Sequence, residues 1–150
     1  MKQSNTQKLT TLALVVVLLT TLDQWVKTVL GWLEYRDFTW GAIKFVWYKN
    51  PGIAFSIPLP SPIAIALIVS LIIFLIVLFW RSEQWGWYRI GLLLTISGGF
   101  SNLWDKISLG YVRDFISISW LPIFNLADVI IFIGIITVFI GLTYAKNQKI

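Results

Sequence analysis

The sequence contains no cysteine and no histidine. Without cysteine the chain can have no disulfide, no thiolate nucleophile and no cysteine-ligated zinc or iron–sulfur cluster. Without histidine it lacks the commonest zinc ligand and the usual base for a serine nucleophile. Acid–base chemistry is therefore left to aspartate, glutamate, lysine and tyrosine. We accordingly expect neither a metal nor a cofactor.

Charge is also scarce, because 13% of the residues are charged whereas 57% are hydrophobic. Ordinary soluble domains carry about 25% charged residues, and a soluble fold of 150 residues could not bury so much apolar surface. The net charge of +5 does not indicate nucleic-acid binding, since the basic residues lie at the edges of apolar runs. We therefore predict a membrane protein with one domain, residues 1–150.

Four apolar stretches approach the length of about 20 residues that a membrane-spanning helix needs. The predicted spans are residues 9–30, 63–80, 88–104 and 126–144. The first span follows Lys2 and Lys8 as in a signal peptide, but no small-x-small cleavage pattern follows it. We interpret it as a retained helix. The predicted fold is thus all-α, with four transmembrane helices.

The segment between the first two predicted spans has a different pattern. Phe38 to Tyr48 reads FTWGAIKFVWY, which is rich in aromatic and β-branched residues and favours short strands. Tryptophan and tyrosine also prefer the headgroup layer of a membrane. We predict a small β-rich extracytoplasmic segment between helices 1 and 2, with an irregular interfacial loop as the alternative.

The basic residues leave the orientation open, because an even number of spans puts both termini on one side and the counts on the two sides are equal. The side with the termini holds Lys2, Lys8, Arg81, Arg89, Lys146 and Lys149. The opposite side holds Lys27, Arg36, Lys44, Lys49, Lys106 and Arg113. The first set is concentrated in short tails and a tight turn, which favours cytoplasmic termini.

Acids at membrane depth are costly, so each of them needs a reason. Asp23, late in the first span, either forms an ion pair with Lys27 four residues later or has a functional role. Asn102 and Asp105 share a helix face, yet they end the third span, where polarity can mark the water boundary. Gly98 and Gly99, just before them, would let another helix approach closely.

Asp114 and Asp128 have the strongest functional indication. Asp128 has a structural explanation, because Asn125 is a favourable N-cap and an acid three residues later favours the helix dipole. Asp114 is harder to explain by a salt bridge with Arg113, since neighbouring side chains usually point apart. Trp120–Pro122 forces a turn between the two aspartates, so their carboxylates can meet face to face.

Two carboxylates a few ångströms apart share one proton, because both cannot ionise readily. One then activates a water while its protonated partner polarises a carbonyl, as in aspartic proteases. A small proton- or ion-coupled transporter is the alternative, although it would carry its acids near the bilayer midplane and usually shows internal repeats. A structural subunit, whose acids are caps and ion pairs, is a further alternative.

Five motifs in order resemble the bacterial lipoprotein signal peptidases, the signal peptidase II family of four-span aspartyl peptidases of the inner membrane. They are LDQ at Leu22–Gln24, NPGIAFS at Asn50–Ser56, GGFSNLWDK at Gly98–Lys106, YVRDFI at Tyr111–Ile116 and FNLADV at Phe124–Val129. Each motif alone is weak evidence for this family. Five motifs in this order on a four-span chain are strong evidence for it.

The resemblance implies that Asp114 and Asp128 form a catalytic dyad. It implies supporting roles for Asp23, Asn50, Gly52, Asn102, Asp105 and Asn125. It also implies the substrate, a prolipoprotein cleaved just before a cysteine that carries a diacylglyceryl group. The enzyme would act as a monomer in membrane lipid, with both termini cytoplasmic and the active site near the outer face.

The sequence departs from the family pattern at three places. Lys106 stands where arginine is usual, which keeps the charge and loses the planar guanidinium. Ser101 stands where glycine is common. The dyad aspartates are 14 positions apart, which looks short for the family and implies a trimmed loop over the site.

Overall fold

The structure, a computed structural model, describes residues 4–32, 38–53, 57, 59–82 and 86–147. Its elements in chain order are α1 (Asn5–Trp32), β1 (Phe38–Trp40), β2 (Ile43–Asn50), α2 (Ser61–Arg81), α3 (Trp87–Leu109), β3 (Val112–Ile118) and α4 (Leu126–Asn147). The prediction of a mainly helical protein is therefore confirmed. Lys2, Arg36 and Lys149, which entered the count of basic residues, lie outside the described residues.

Three of the described helices are long and apolar enough to cross a membrane, namely α1, α2 and the Leu126–Tyr144 part of α4. Many of their large apolar side chains are exposed, as helices surrounded by lipid chains require. The third predicted span does not meet this criterion, so the number of four spans is not confirmed. The physical reason is that α3 contains Arg89, Asp105 and Lys106, all of which are buried in the protein.

Helix α3 forms the centre of the fold, because it packs against α1, α2 and α4. Its Leu92, Leu93 and Ile96 form a buried apolar cluster with Phe79 of α2. It also continues to Leu109, beyond the predicted limit at residue 104, and Asp105 and Lys106 in this extension are buried against other parts of the protein. A helix enclosed in this way can carry polar side chains at membrane depth, provided that the neighbouring helices supply their partners.

Glycines allow α3 and α4 to approach each other closely. A Cβ atom added at Gly91 would lie 2.5 Å from the backbone nitrogen of Val138 and 2.6 Å from the carbonyl oxygen of Gly134. At Gly98 it would lie 2.5 Å from the carbonyl oxygen of Ala127, which confirms the predicted close helix approach at this glycine. The α3–α4 contact therefore sets the position of the first turn of α4.

The three strands form one antiparallel sheet in the order β1-β2-β3. The prediction of short strands within Phe38–Tyr48 is confirmed, and the alternative of an irregular loop is wrong. The prediction that the β-rich segment lies only between helices 1 and 2 is incomplete, because β3 joins the sheet from between α3 and α4. In this register Tyr48 is opposite Asp114 and Asn50 is opposite Val112.

The chain reverses direction after β3, as the sequence Trp120–Pro122 predicts. Ser119 has a left-handed backbone with φ of 35°, and the backbone N–H of Leu121 donates to the carbonyl of Ile118 at 2.8 Å. Phe124 then pairs with Ile116 in an isolated β-bridge. This turn brings the start of α4 back beside β3.

We expect Gly91→Ala to lower the thermal midpoint of the purified protein, because the added methyl group would press on the backbone of α4. Overpacking of this kind typically costs about 1–3 kcal/mol. Gly99→Ala on the same helix is the matched control, since its Cβ would lie 3.4 Å from Ile72, an ordinary van der Waals distance. Equal midpoints for the two variants would contradict the close approach of α3 and α4.

Candidate active site

The predicted site residues come from five elements and lie together where α1 and α3 end. The acids Asp114 and Asp128 are on β3 and in the first turn of α4. The other residues are Asp23 on α1, Asn50 at the end of β2 with Gly52 just after it, Asn102 and Asp105 on α3, and Asn125 before α4. Asn102 and Asp128 are half-buried and the rest are buried.

Asp114 is 1% exposed, and both of its carboxylate oxygens accept hydrogen bonds from side-chain amides. Asn50 Nδ2 donates to one oxygen at 2.9 Å, and Asn125 Nδ2 donates to the other at 2.6 Å. Asn50 reaches Asp114 because the two residues are diagonal neighbours across the β2–β3 pair. Its own amide oxygen accepts from the backbone N–H of Gly52 at 2.9 Å, which fixes the amide orientation.

Asp128 is bound by a different pair of donors. Asn102 Nδ2 donates to its Oδ1 at 2.8 Å, and the backbone N–H of Asn125 donates to its Oδ2 at 3.1 Å. In return the backbone N–H of Asp128 donates to Asn125 Oδ1 at 3.0 Å. This reciprocal arrangement is a capping box, so the prediction that Asn125 caps α4 is confirmed.

Asn125 connects the two acids, because one side chain touches both of them. Its Nδ2 donates to Asp114, while its Oδ1 accepts from the first turn of the helix that carries Asp128. The amide also donates to Asn102 Oδ1 at 3.1 Å, so the donors of Asp114 and Asp128 are joined in one network. The turn between the two aspartates thus brings them into one site.

Burial raises the pKa of Asp114 to about 7, because the charged form loses its hydration. The hydrogen bond from Asn50 works in the opposite direction, the negative charge of Asp128 raises the pKa further, and Asn125 and Lys27 lower it. Asp114 therefore exchanges its proton near neutral pH, which suits a group that must act as both acid and base.

Asp23 has partners on three helices, and its functional role stays a prediction. Its carboxylate forms the predicted ion pair with Lys27 at 2.7 Å. It also accepts a hydrogen bond from the hydroxyl of Ser101 at 2.5 Å and from the backbone N–H of Ala127 at 2.9 Å. Asp23 therefore ties α1 to α3 and to the start of α4, next to Asp128.

Asp105 holds the beginning of β3 against the helices. It forms ion pairs with Arg113 at 2.7 Å and with Lys27 at 3.2 Å, and it accepts from Gln24 Nε2 at 2.8 Å. The backbone N–H of Arg113 also donates to this carboxylate at 3.1 Å. Arg113 and Asp114 thus have different partners, as the alternation of a strand predicts.

Several polar residues that contact the predicted site were absent from it. Among them are Gln24, Lys27, Ser101, Lys106 and Arg113. Lys106 Nζ donates to the carbonyl oxygens of Pro51 and Gly52, which holds the turn after Asn50 in place. Gln24, Lys106 and Arg113 lie within the quoted motifs, so the motifs could have identified them as site residues. Residues 54–56 of the NPGIAFS motif lie outside the described residues.

Two aspartates that amides hold at one end of apolar helices can share a proton, which is the arrangement that an aspartic peptidase needs. A family model described as signal peptidase (SPase) II matches residues 15–144, and the chain belongs to that family. The chain is therefore a peptidase. Its apolar helices and its family together make it a multi-pass protein of the inner membrane.

Curated relatives and solved structures agree with this assignment. The lipoprotein signal peptidase of Enterococcus faecalis is 30% identical over 140 residues, which are 86% of this chain and 85% of that protein. The protein of the same name from Lactococcus lactis is 32% identical over 111 residues, covering 71% of this chain and 73% of that one. The lipoprotein signal peptidase of Caldicellulosiruptor bescii is 39% identical over 98 residues, which are 64% of this chain and 64% of that protein.

Two solved bacterial membrane enzymes, both obtained by the in meso method, have a similar fold. The structure at 2.3 Å has a TM-score of 0.83 and 23% identity, and the match covers 93% of this chain and 92% of that chain. The structure at 1.9 Å has a TM-score of 0.78 and 25% identity, covering 88% and 92%. The arrangement of helices and sheet is therefore one that has been observed experimentally.

The raised pKa of Asp114 makes stability depend on pH. An unfolded aspartate ionises near 3.8, whereas folded Asp114 keeps its proton to about pH 7. Its contribution to the free energy of unfolding is therefore complete below about pH 4 and is lost as the pH rises to about 7. We expect the thermal midpoint of the wild type to fall relative to that of Asp114→Asn across this range.

The measurement is thermal unfolding in mild detergent, followed by the fluorescence of the nine tryptophans. The difference between the two midpoints removes the contributions of groups that the substitution leaves unchanged. Midpoint curves that stay parallel across the range would show that Asp114 has an ordinary pKa in the folded protein.

Proposed function

We propose that Asp114 and Asp128 form the catalytic dyad of an aspartyl endopeptidase that removes the signal peptide from diacylglyceryl-modified prolipoproteins, just before the lipidated cysteine. Membership of the signal peptidase II family supports the reaction. The observation that carries the residue assignment is the position of Asn125, whose amide binds Asp114 while its backbone and side chain bind Asp128. Among the described residues Asp23 and Asp105 are also bridged, but by the cation Lys27 and not by a neutral amide.

The dyad would work with one shared proton. The ionised carboxylate takes a proton from a water molecule, whose oxygen attacks the scissile carbonyl carbon, while the protonated carboxyl gives its proton to the carbonyl oxygen. The C–N bond of the tetrahedral intermediate then breaks as the leaving nitrogen receives the proton that came from the water, while a hydroxyl of the intermediate returns its proton to the other carboxylate and so restores the dyad. The two aspartates titrate as one unit, so both proton placements lead through the same intermediate.

The supporting residues orient the dyad without adding charge to it. Asn50, Asn102 and Asn125 each present an amide nitrogen to a carboxylate oxygen. Amides of this kind favour the ionised form of a carboxylate by hydrogen bonding. Burial has the opposite effect, so the two influences together keep the pair near the point at which it holds one proton.

The chain is proposed to form a single domain of four spans and to act as a monomer in lipid. Helix α3 is included as a span because its polar side chains face other helices, so low overall hydropathy does not oblige it to leave the membrane. Both termini would then be cytoplasmic. The sheet and the dyad would lie near the outer face, where exposed tryptophans such as Trp32, Trp40 and Trp120 suit the headgroup layer.

We expect Asp114→Asn and Asp128→Asn each to reduce cleavage at least about 100-fold, the lower range for losing a general acid or base. Purified protein in lipid or mild detergent is given a diacylglyceryl-modified prolipoprotein, and the mobility shift is followed on a gel. An unmodified prolipoprotein serves as the substrate control and should not be cleaved. A folded Asp114→Asn variant with near-normal activity would disprove the dyad.

The proposed topology can be tested with single cysteines, because the natural chain contains none. Gly86→Cys and Ser108→Cys lie near opposite ends of α3. In intact cells a membrane-impermeant maleimide should label Ser108→Cys, whereas Gly86→Cys should require permeabilised cells. Labelling of both sites from the same side would show that α3 does not cross the membrane.

A further inference from the structure

Lys27 is a fully buried lysine. Among the described contacts it forms no hydrogen bond or ion pair with Asp114 or Asp128. Its ammonium group lies 2.7 Å from Asp23, 3.2 Å from Asp105 and 3.1 Å from Asn102 Oδ1. A lysine ammonium has three N–H donors, so these three acceptors satisfy it completely. Two of them are carboxylates, which compensate the buried positive charge. The third is the neutral amide of Asn102, which also donates a hydrogen bond to Asp128.

The contact with Lys27 determines which way the amide of Asn102 faces. Its oxygen accepts from Lys27 and also from Asn125 Nδ2 at 3.1 Å, which occupies both of its lone pairs. Its nitrogen is therefore left to donate to Asp128 Oδ1, at 2.8 Å.

The opposite orientation of this amide is strongly unfavourable. Rotation by 180° would place the NH₂ group of Asn102 against the ammonium of Lys27, so donors would face donors. The amide oxygen would then point at the carboxylate of Asp128. Both contacts are repulsive in a buried site where charges are weakly screened.

We infer that Lys27 is a positioning residue for the cleavage reaction, which acts through Asn102 by forcing its amide to donate to Asp128. This inference rests on the proposed dyad. The donation keeps Asp128 Oδ1 an acceptor and fixes how this carboxylate faces Asn102. Without the ammonium, only the hydrogen bond from Asn125 Nδ2 holds this orientation, so Asn102 can turn, accept a hydrogen bond from protonated Asp128 and hold the proton away from the substrate.

Lys27 also affects the dyad through its charge. The described charged groups around it are Asp23 on its own helix, Asp105 on α3, Asp114 and its neighbour Arg113 on β3, and Asp128 on α4. The positive charge of Lys27 lowers the pKa of Asp114. Removal of that charge should therefore raise this pKa and move the basic limb of the activity profile to higher pH.

The first test is Lys27→Met. We expect kcat to fall about 10- to 100-fold, the range for losing a hydrogen bond to a charged group, with little change in KM. The basic limb of the pH profile should move upward. Lys8→Met is the matched control, since Lys8 is a buried lysine of the same helix that binds the carbonyl of Ser82 at 3.2 Å, far from the site. Its kcat and pH profile should match the wild type.

A second variant distinguishes the orientation of the Asn102 amide from the charge of Lys27. It also avoids leaving an uncompensated buried charge, which could prevent folding. Lys27→Met combined with Asp23→Asn removes the ammonium and one negative charge, so the buried charge stays balanced. We expect kcat to remain low, because Asn102 still lacks its donor, while the basic limb returns toward that of the wild type. Full recovery of kcat would show that Lys27 acts by charge alone and would overturn the inference.

A double-mutant cycle tests whether the effect passes through Asn102. In an Asn102→Ala background, Lys27→Met should reduce kcat little further, because the group on which it acts is absent. Equal losses with and without Asn102 would overturn the inference, and so would a Lys27→Met enzyme that behaves like Lys8→Met. An active Asp114→Asn enzyme would instead refute the proposed dyad, and the two failures are thus distinguishable.

Discussion

The buried ion network at the ends of α1 and α3 is the interaction on which the rest of the site depends. Asp23, Lys27 and Asp105 are fully buried, and burial of a charge is costly unless it is paired and hydrogen-bonded. Each of them has partners on at least two elements, and Arg113 brings β3 into the same network. Loss of one member would leave another charge uncompensated, so the helices, the strand and the start of α4 are held in one arrangement.

The network also explains why neutral amides, and not cations, bind the acids. A lysine or arginine in direct contact would hold a carboxylate ionised and prevent it from carrying a proton at neutral pH. In the described residues the cations Lys27 and Arg113 contact Asn102 and Asp105, one step away from Asp114 and Asp128. The charge of Lys27 lowers the pKa of Asp114, but this effect is smaller than that of burial. Acids held in this way remain close to the balance between proton donor and acceptor.

The features that sequence could predict are local ones. Apolar runs predicted the helices, the four-residue spacing predicted the Asp23–Lys27 pair, and Asn125 three residues before an acid predicted the cap. Pairing of β3 with β2 joins distant parts of the chain, and so does the contact of Gln24 with Arg113 at 2.5 Å. No periodicity reveals such contacts. The extent of α3 was underestimated because polar residues were interpreted as a water boundary, whereas they meet partners inside the protein.

The distribution of polarity among the helices follows from the need to bury polar groups inside a protein that lipid surrounds. Surfaces that face lipid must be apolar, so polar groups are placed on the faces of helices that other elements cover. Helix α3 carries Asp105 and Lys106 on such surfaces, and α1 carries Asp23 and Lys27 in the same way. The low hydropathy of α3 and its role in the site thus have one cause. The close approach at Gly98 brings α4 near enough for Asn102 to reach Asp128, which joins helix packing directly to the geometry of the acids.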